Sequence, residues 1–566
     1  MNEQMENVVA FERSGTYLRR KAAENRREGR YADALTLLYL ARGKTDFDAS
    51  LEMEIAEIMN EMDCCEESNQ ILLRLLQRGE MKGECLYAIA SNYLNLQDPE
   101  RARHMALMCL AEEPEGEFSL DAQDVIDAAE EMLEQTDAKS EHSEQLLRRG
   151  LRALEQGQAE RAQRLLQRAV KTGGGAEALT VLSFCHLMQE DTSRALSAAV
   201  RAHAAAPHDI RTQCALACAR FASGDRKEAV KILQRAEREH PEPPELMLLC
   251  QSACDMGLDA MAYRQLRALS TFQPYAPRVQ LMLSVAALNL GHVREAARAL
   301  GHLCRLFPQN PVYDAYFRIA RERLEQGDEQ PPAKESERLP YSGQPPQGVS
   351  LGWLVDLGTQ LVTGAEELRA RIETDDSFYR VLEWLLHVQL PGTDVWQTVL
   401  RSLSRVQSGR VKGLLCDMLT DASLADEVKR EAMTALGVLG ERGPLYADID
   451  GRMVRMTVRT GVSQRPLSQS YERVLQAVVE RLTPIYGDVG EQVADIWTAF
   501  VQREGPQGAM RRPDAWMAAL EYVYHQKCGR QVSAARVGRM RHVPPRMIKR
   551  YAQRILPKAD EEDSER

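Results

Sequence analysis

The segment GQAERAQRLLQRAV, residues 157–170, carries the pattern on which the fold of this chain depends. A glycine opens it, the small residue Ala162 follows, and Leu166 and Ala169 lie on one face of a predicted helix. The spacing returns in GRYADALTLLYLAR, residues 29–42, and in six further segments. Because the same pattern recurs along the chain, the repeat has to be interpreted before any single site.

The repeat has a nearly constant length. Successive copies of its central small residue are separated by 34, 34, 60, 33, 34, 33 and 34 positions. A second small residue stands in the preceding helix of each copy, which predicts two helices that pack closely across a short turn. The step of 60 positions predicts one insertion. The central residues are Ala34, Ser68, Ala102, Ala162, Ala195, Ala229, Ala262 and Ala296.

This arrangement resembles the tetratricopeptide repeat (TPR) family, whose period is about 34 residues. The resemblance implies an all-α fold: a right-handed superhelix of about eight helical hairpins over residues 14–327, closed by a capping helix at 312–326. Prolines such as Pro207 and Pro241 support it, because proline ends a helix. The tryptophan usual near the start of a repeat is missing, and Asp63 stands where the second copy would carry its turn glycine.

Composition divides the rest of the chain. The insertion near residues 112–144 holds thirteen acidic residues against one lysine, yet its apolar residues predict one amphipathic helix. This helix is interpreted either as a solvated bridge between repeat blocks or as an acidic arm that docks a basic partner or the basic C-terminal segment. The predicted order is a polar lead-in (1–13), the TPR solenoid (14–327), a proline-rich mobile linker (328–350), a HEAT-like helical segment with a possible hairpin (351–466), a basic helical segment (467–558) and an acidic tail (559–566).

The segment after the linker has two distinctive features. Residues 414–437 resemble one HEAT-type repeat, a paired-helix unit, and residues 395–403 resemble a fainter copy. The dipeptide Asp450-Gly451 lies between two short apolar-containing runs, 445–449 and 453–458. Such a dipeptide is typical of the two-residue type I′ turn of a β-hairpin, so we expect one pair of antiparallel strands here.

Composition and motifs also restrict the class of protein. The net charge is −11, no basic-then-apolar leader begins the chain, and no apolar run approaches the roughly 18 residues of a membrane span, so a cytoplasmic protein is predicted. No motif for catalysis, a cofactor or a metal is present, which predicts a non-enzyme. Four cysteines could in principle hold zinc, but packing is the favoured interpretation. They are Cys214, Cys218, Cys250 and Cys254.

The TPR resemblance also implies a binding surface. In that family the first helix of each hairpin lines a concave groove that holds a peptide or helix of a partner. The groove predicted here is mostly apolar, which favours an amphipathic or extended apolar ligand. The function expected is therefore a non-catalytic scaffold or adaptor. The residues that the register places toward the groove are Arg19, Arg26, Tyr87, Leu94, Leu147, Leu151, Phe184, Leu187, Phe221, Met247, Leu281 and Val285.

The basic end of the chain supports an alternative function. Residues 513–555 predict three helices similar to a helix-turn-helix, with Val537, Val543 and Ile548 as the buried contacts. A regulator that senses a partner through the repeats and binds nucleic acid through this end is then possible. A structural or protein-binding role for the same helices is the other interpretation. The candidate contacts with nucleic acid are Arg546, Lys549, Arg550 and Arg554.

Overall fold

The computed structural model divides the chain into two compact units, residues 1–460 and 461–566. It describes residues 14–334 apart from 45–46, 115, 135–137 and 240, and residues 337–556 apart from 342–343, 346, 388–392, 450, 457–468, 487–488, 491–492, 495, 498–499, 501–511, 529–531 and 542. No helix in these ranges is both long enough and apolar enough to span a membrane.

Eight helical hairpins form the solenoid of the first unit, as the repeat predicts. Each hairpin consists of a first and a second helix, and a single helix caps the last one. The hairpins are α1 (Gly15–Arg27) with α2 (Tyr31–Arg42), α3 (Ala49–Glu61) with α4 (Cys65–Arg78), α5 (Lys82–Asn95) with α6 (Pro99–Glu112), α8 (Ala138–Glu155) with α9 (Ala159–Lys171), α10 (Gly175–Met188) with α11 (Thr192–Ala205), α12 (Ile210–Ala222) with α13 (Arg226–Arg238), α14 (Pro243–Asp255) with α15 (Asp259–Phe272), and α16 (Pro277–Asn289) with α17 (Val293–Leu306); α18 (Pro311–Glu325) is the cap.

Every hairpin turns at one residue with a positive φ angle. Five of these residues are glycines, which adopt this left-handed conformation without a steric penalty. In the other three hairpins Asp63, Gln97 and Glu190 hold φ near +60° instead. The turn geometry therefore persists where the glycine signal is missing from the sequence. The five glycines are Gly29, Gly157, Gly224, Gly257 and Gly291.

The small residues of the repeat bring the two helices of each hairpin together. Ala34, Ala162 and Ala229 are completely buried, as a close helix crossing requires. Where the small residue is a serine, its hydroxyl is satisfied within the same hairpin: Ser68 Oγ donates to the Ala56 carbonyl at 2.8 Å. The polar copies of the repeat therefore fit the core without an unpaired buried group.

The insertion forms the amphipathic helix α7 (Ser119–Glu134), as predicted. Ala122, Val125, Ile126 and Ala129 are buried in the core cluster of α4, α5 and α6, while Leu120 is 80% exposed. The acidic helix α7 therefore packs against its neighbours through its apolar side.

The first and last hairpins of the solenoid touch each other. Leu306 of α17 lies in the core cluster of α1–α3, and the Tyr39 hydroxyl donates to the Leu306 carbonyl at 2.9 Å. The rings of Tyr31 and Tyr275 meet edge to face, 6.3 Å apart. Eight hairpins thus bring residues more than 200 positions apart into one apolar core.

The segment after the linker belongs to the same compact unit as the solenoid. Its helices form one core cluster, and α23 packs on α4 while α21 packs on α18. The compact units divide at residue 460. The helices are α19 (Gln347–Val362), α20 (Ala365–Thr374), α21 (Asp376–His387), α22 (Thr393–Leu403), α23 (Gly409–Thr420) and α24 (Asp426–Val438).

The predicted hairpin is present as β1 (Leu445–Ile449) and β2 (Arg452–Met456). The strands are antiparallel, and Ile449 pairs with Arg452, which leaves a two-residue turn. Gly451 has φ +79°, as a type I′ turn requires, whereas Asp450 and Val458 lie outside the described residues. Gln77 of α4 binds the backbone of Tyr446, so the hairpin is attached to the solenoid.

The second unit is helical as well. Among its described residues are the helices α25 (Gln469–Tyr486), α26 (Pro513–Lys527), α27 (Ala534–Arg541) and α28 (Pro545–Ile555). Tyr471, Trp497, Phe500 and Trp516 belong to its main core cluster. The last three helices lie within residues 513–555, where three helices were predicted, and the Ser533 side chain accepts from the Arg536 amide as a helix cap.

Candidate functional site

The first helices of the hairpins carry the predicted groove residues, and the two arginines among them are already paired. Arg19 contacts Asp48 at 2.9 Å and also Glu54 of the neighbouring first helix. Arg26 lies 2.6 Å from both Glu57 and Glu61. Hydrogen bonds to these carboxylates raise the pKa of Arg26 despite its partial burial. At this end the guanidinium groups therefore join adjacent hairpins.

The next predicted residues are partly covered by the insertion. The ring of Tyr87 on α5 stacks on Phe118, which precedes α7, with centroids 5.3 Å apart. Leu94 packs against the same core cluster. The insertion thus packs against the third hairpin, and its residue Phe118 limits access to Tyr87.

The middle hairpins leave apolar side chains partly exposed on their first helices. Phe184, Leu187, Phe221 and Met247 are half-buried and pack against the core cluster of α11–α16. Leu151 of α8 is 39% exposed. We call these five residues the apolar face. Of the other predicted residues, Leu147 is buried between α8 and its neighbours.

A feature that the sequence did not indicate covers the far end of the predicted groove. Leu281 and Val285 of α16 are only 6% and 1% exposed. Leu339, Tyr341 and Trp384, all beyond the solenoid, pack against their core cluster. These two groove residues are therefore not accessible to a partner in this arrangement.

The covering segment lies in the predicted linker, and we call residues 337–341 the strap. The Leu339 amide donates to Asn289 Oδ1 at 2.9 Å, and Asn289 Nδ2 donates to the Leu339 carbonyl at 3.1 Å. The Arg338 guanidinium pairs with Asp259. A mobile linker was expected from proline content, but these described residues bind α15, α16 and the turn between α14 and α15.

The basic residues of the second unit lie on the last helix. Arg546, Lys549, Arg550 and Arg554 are exposed on α28, and the Arg554 guanidinium stands 5.1 Å from the Trp516 ring centroid. Their placement fits a basic surface, and it leaves the choice of ligand open.

The helices that support this basic surface pack as the sequence predicts. Val537, Val543 and Ile548 share one buried cluster. A Cβ atom on Gly538 would come within 2.5 Å of the Val543 carbonyl, so glycine is needed for the close crossing of α27 and α28. This packing is compatible with a helix-turn-helix, which remains a prediction.

The four cysteines considered for zinc lie inside the solenoid core. Cys214, Cys218, Cys250 and Cys254 are buried in one cluster with alanine and leucine side chains. Burial raises the pKa of the Cys214 and Cys218 thiols to about 12, which opposes the thiolate that zinc requires. Within the described ranges no three or more His, Cys, Asp or Glu side chains are arranged to hold a metal ion.

No protein-family model and no curated protein matches the chain. Among solved structures it is similar to yeast Tom70, at 12% identity over 75% of this chain and 91% of that chain, with a TM-score of 0.28. It is also similar to the TPR domain of P58(IPK), at 12% identity over 66% and 99%, with a TM-score of 0.23.

A third similar structure is that of Naa15/Naa10 bound to HypK-THB, at 13% identity over 91% of this chain and 67% of that chain, with a TM-score of 0.22. Scores this low carry no argument about function. The TPR-like architecture is established by the eight hairpins and their turns in this chain itself.

Proposed function

We propose that this chain is a non-catalytic scaffold that binds an amphipathic helix or apolar peptide of a partner protein on the apolar face. The observation that supports it is the row of partly exposed apolar side chains on consecutive first helices, from Leu151 on α8 to Met247 on α14. Helical repeats offer extended surfaces for such ligands. A cytoplasmic location is part of the proposal, and the nine buried free thiols are compatible with a reducing compartment.

The test replaces apolar residues of this face by a charged one in the full chain. In Phe184→Asp/Phe221→Asp, we expect loss of partner capture from native lysate, because a carboxylate on the face cannot be desolvated cheaply. Phe272→Asp is the matched control, since Phe272 is 62% exposed and lies at the end of a second helix. Circular dichroism and thermal melting confirm that each variant folds. Equal capture by a folded double variant and by wild type would exclude the face as the binding surface.

The runner-up function is nucleic-acid binding through α28, and its support is the four exposed basic residues on that helix. Lys549→Glu/Arg550→Glu in the full chain is expected to weaken binding of duplex DNA or RNA at low salt. Each lost phosphate contact lowers the slope of log affinity against log salt by about 0.9 on B-DNA. Arg401→Glu/Arg405→Glu, in the other unit, is the control for net charge. No binding by wild type at low salt removes this candidate.

A further inference from the structure

We propose that Gly257, Asp259, Asn289 and Tyr316 form a peptide-recognition site that the strap occupies in cis, and that a partner segment of similar chemistry enters by displacing the strap. The inference rests on the proposed scaffold function and specifies one ligand for it: an extended segment with the order Arg, apolar residue, Pro, Tyr. No residue of the apolar face belongs to this site.

The site recognises an extended backbone through Asn289. This side chain is only 4% exposed, and its amide both donates to and accepts from the backbone of Leu339, at 3.1 and 2.9 Å. A primary amide offers both a donor and an acceptor, so it pairs with one residue of an extended chain much as a neighbouring strand does. This contact is independent of the ligand's side chain at that position.

The polar side chains of the strap meet at one carboxylate. Asp259 receives hydrogen bonds from the Arg338 guanidinium and, at 2.8 Å, from the Tyr341 hydroxyl. Arg338 also donates to the Gly257 carbonyl at 2.6 Å. The Asp259 side chain is 10% exposed, which strengthens its interaction with a guanidinium group. The carboxylate therefore selects for a basic side chain and a phenolic side chain three positions further along the ligand.

Apolar contact and a further hydrogen-bonding group complete the site. Leu339 and Tyr341 pack against the cluster that contains Tyr316. The Tyr316 hydroxyl lies 2.9 Å from the carbonyl oxygens of both Pro340 and Gln344. Burial raises the pKa of Tyr316, so the phenol keeps the proton that it donates. Proline in the ligand has no amide hydrogen to satisfy, and its carbonyl is the group that Tyr316 contacts.

The strap is suited to release because a small number of contacts hold it on the solenoid. Pro340 is exposed, and Arg338, Leu339 and Tyr341 are only half-buried, so the strap has no buried core of its own. A hydrogen bond contributes little net stability, and a segment held by a few of them opens far more readily than the whole unit. A tethered segment competes with an outside ligand at an effective concentration of about 1 mM.

The experiment uses the full chain and a fluorescent peptide with the strap sequence KESERLPYSGQ, residues 334–344. Arg338→Ala/Leu339→Ala/Tyr341→Ala removes the side-chain contacts of the strap, and we call it the emptied variant. It is expected to bind the peptide at least about tenfold more tightly than wild type, because the tethered competitor is weakened. Adding Asn289→Ala to this variant should weaken binding about tenfold, since both backbone contacts are lost. A scrambled peptide is the ligand control. Equal peptide affinity of the folded emptied variant and wild type, or indifference to Asn289→Ala, overturns the proposal.

A second measurement on wild type covers the case in which the emptied variant does not fold. Hydrogen exchange of the Leu339 amide should accelerate when the unlabelled peptide is added at several millimolar, because the displaced strap loses its bond to Asn289. Unchanged exchange under these conditions contradicts displacement.

The two proposals fail separately. Phe184→Asp/Phe221→Asp should leave peptide binding by the emptied variant unchanged. Loss of partner capture by this variant with peptide binding intact therefore implicates only the apolar face. If peptide binding by the emptied variant is indifferent to Asn289→Ala while Phe184→Asp/Phe221→Asp still abolishes capture, only the strap site is rejected.

Discussion

At Glu67, in the first turn of α4, burial raises the pKa of the carboxyl group to about 7 from an ordinary 4.5. The folded state binds this proton more tightly than the unfolded state, so stability falls as pH rises from about 4.5 through 7. We expect Glu67→Gln to raise the free energy of unfolding by about 2 kcal/mol more at pH 8 than at pH 5. Urea denaturation at both pH values measures the difference.

The His387 imidazole should produce a pH dependence through its partner Asp421. Burial opposes the charged imidazolium, but the hydrogen bond of Nδ1 with Asp421 at 2.6 Å and the charges of Asp421 and Asp417 outweigh it and raise the pKa of His387. A histidine with a raised pKa stabilises the fold fully below about 6.5 and loses that contribution as pH rises through its folded-state pKa.

We therefore expect the stability difference between wild type and His387→Asn to shrink between pH 6.5 and 9 in urea denaturation. His302 provides the opposite case, because burial lowers its pKa. As pH rises from 5 to 7, the free energy of unfolding of wild type should increase relative to that of His302→Asn. The same slope for both histidines would contradict the role of Asp421.

The hairpin turns supply a prediction at the scale of the element. Asp63, Gln97 and Glu190 hold φ near +60°, and all three are exposed. A left-handed conformation costs a residue with a Cβ roughly 1 kcal/mol that glycine avoids. The triple replacement by glycine should therefore raise the free energy of unfolding by about 1–3 kcal/mol, measured by urea denaturation. Gly224→Ala, at φ +93°, is the converse control and should lower it.

The elements that could be predicted are those with a local signal. Ala162 and its seven counterparts predict the hairpins, because the two helices that contact each other in a hairpin lie within about thirty residues of sequence. The turn at Gly451 was predictable for the same reason. The residues of the apolar face were chosen from the register of the repeat alone, and their role in binding remains a prediction. The packing of Leu339, Tyr341 and Trp384 against the cluster of Leu281 and Val285 could not be predicted, because these side chains lie beyond the solenoid in the chain.

At the scale of the whole molecule, contacts between distant residues join the solenoid and residues 351–460 into one unit. Gln77 binds Tyr446 across 369 positions, and the Gln156 side chain donates to the Ala422 carbonyl across 266 positions. No periodicity marks such pairs, and proline content suggested a free linker where the strap is bound. Because these contacts are many and dispersed, we infer that residues 14–456 unfold cooperatively, while the second unit unfolds as a separate body.

Arg74 offers the sharpest test of this cooperativity. Its guanidinium on α4 lies 2.5 Å from Glu383 on α21 and 2.9 Å from Asp417 on α23. Arg74→Ala leaves two poorly exposed carboxylates unpaired, so we expect a loss of about 1–3 kcal/mol. Arg103→Ala removes an exposed pair with Glu130 inside the solenoid and should cost less than about 1 kcal/mol. In hydrogen exchange under increasing urea, the Arg74 variant should lose protection in α4, α21 and α23 at the same lowered concentration. Loss of protection in α21 and α23 alone would mean that the two parts unfold independently.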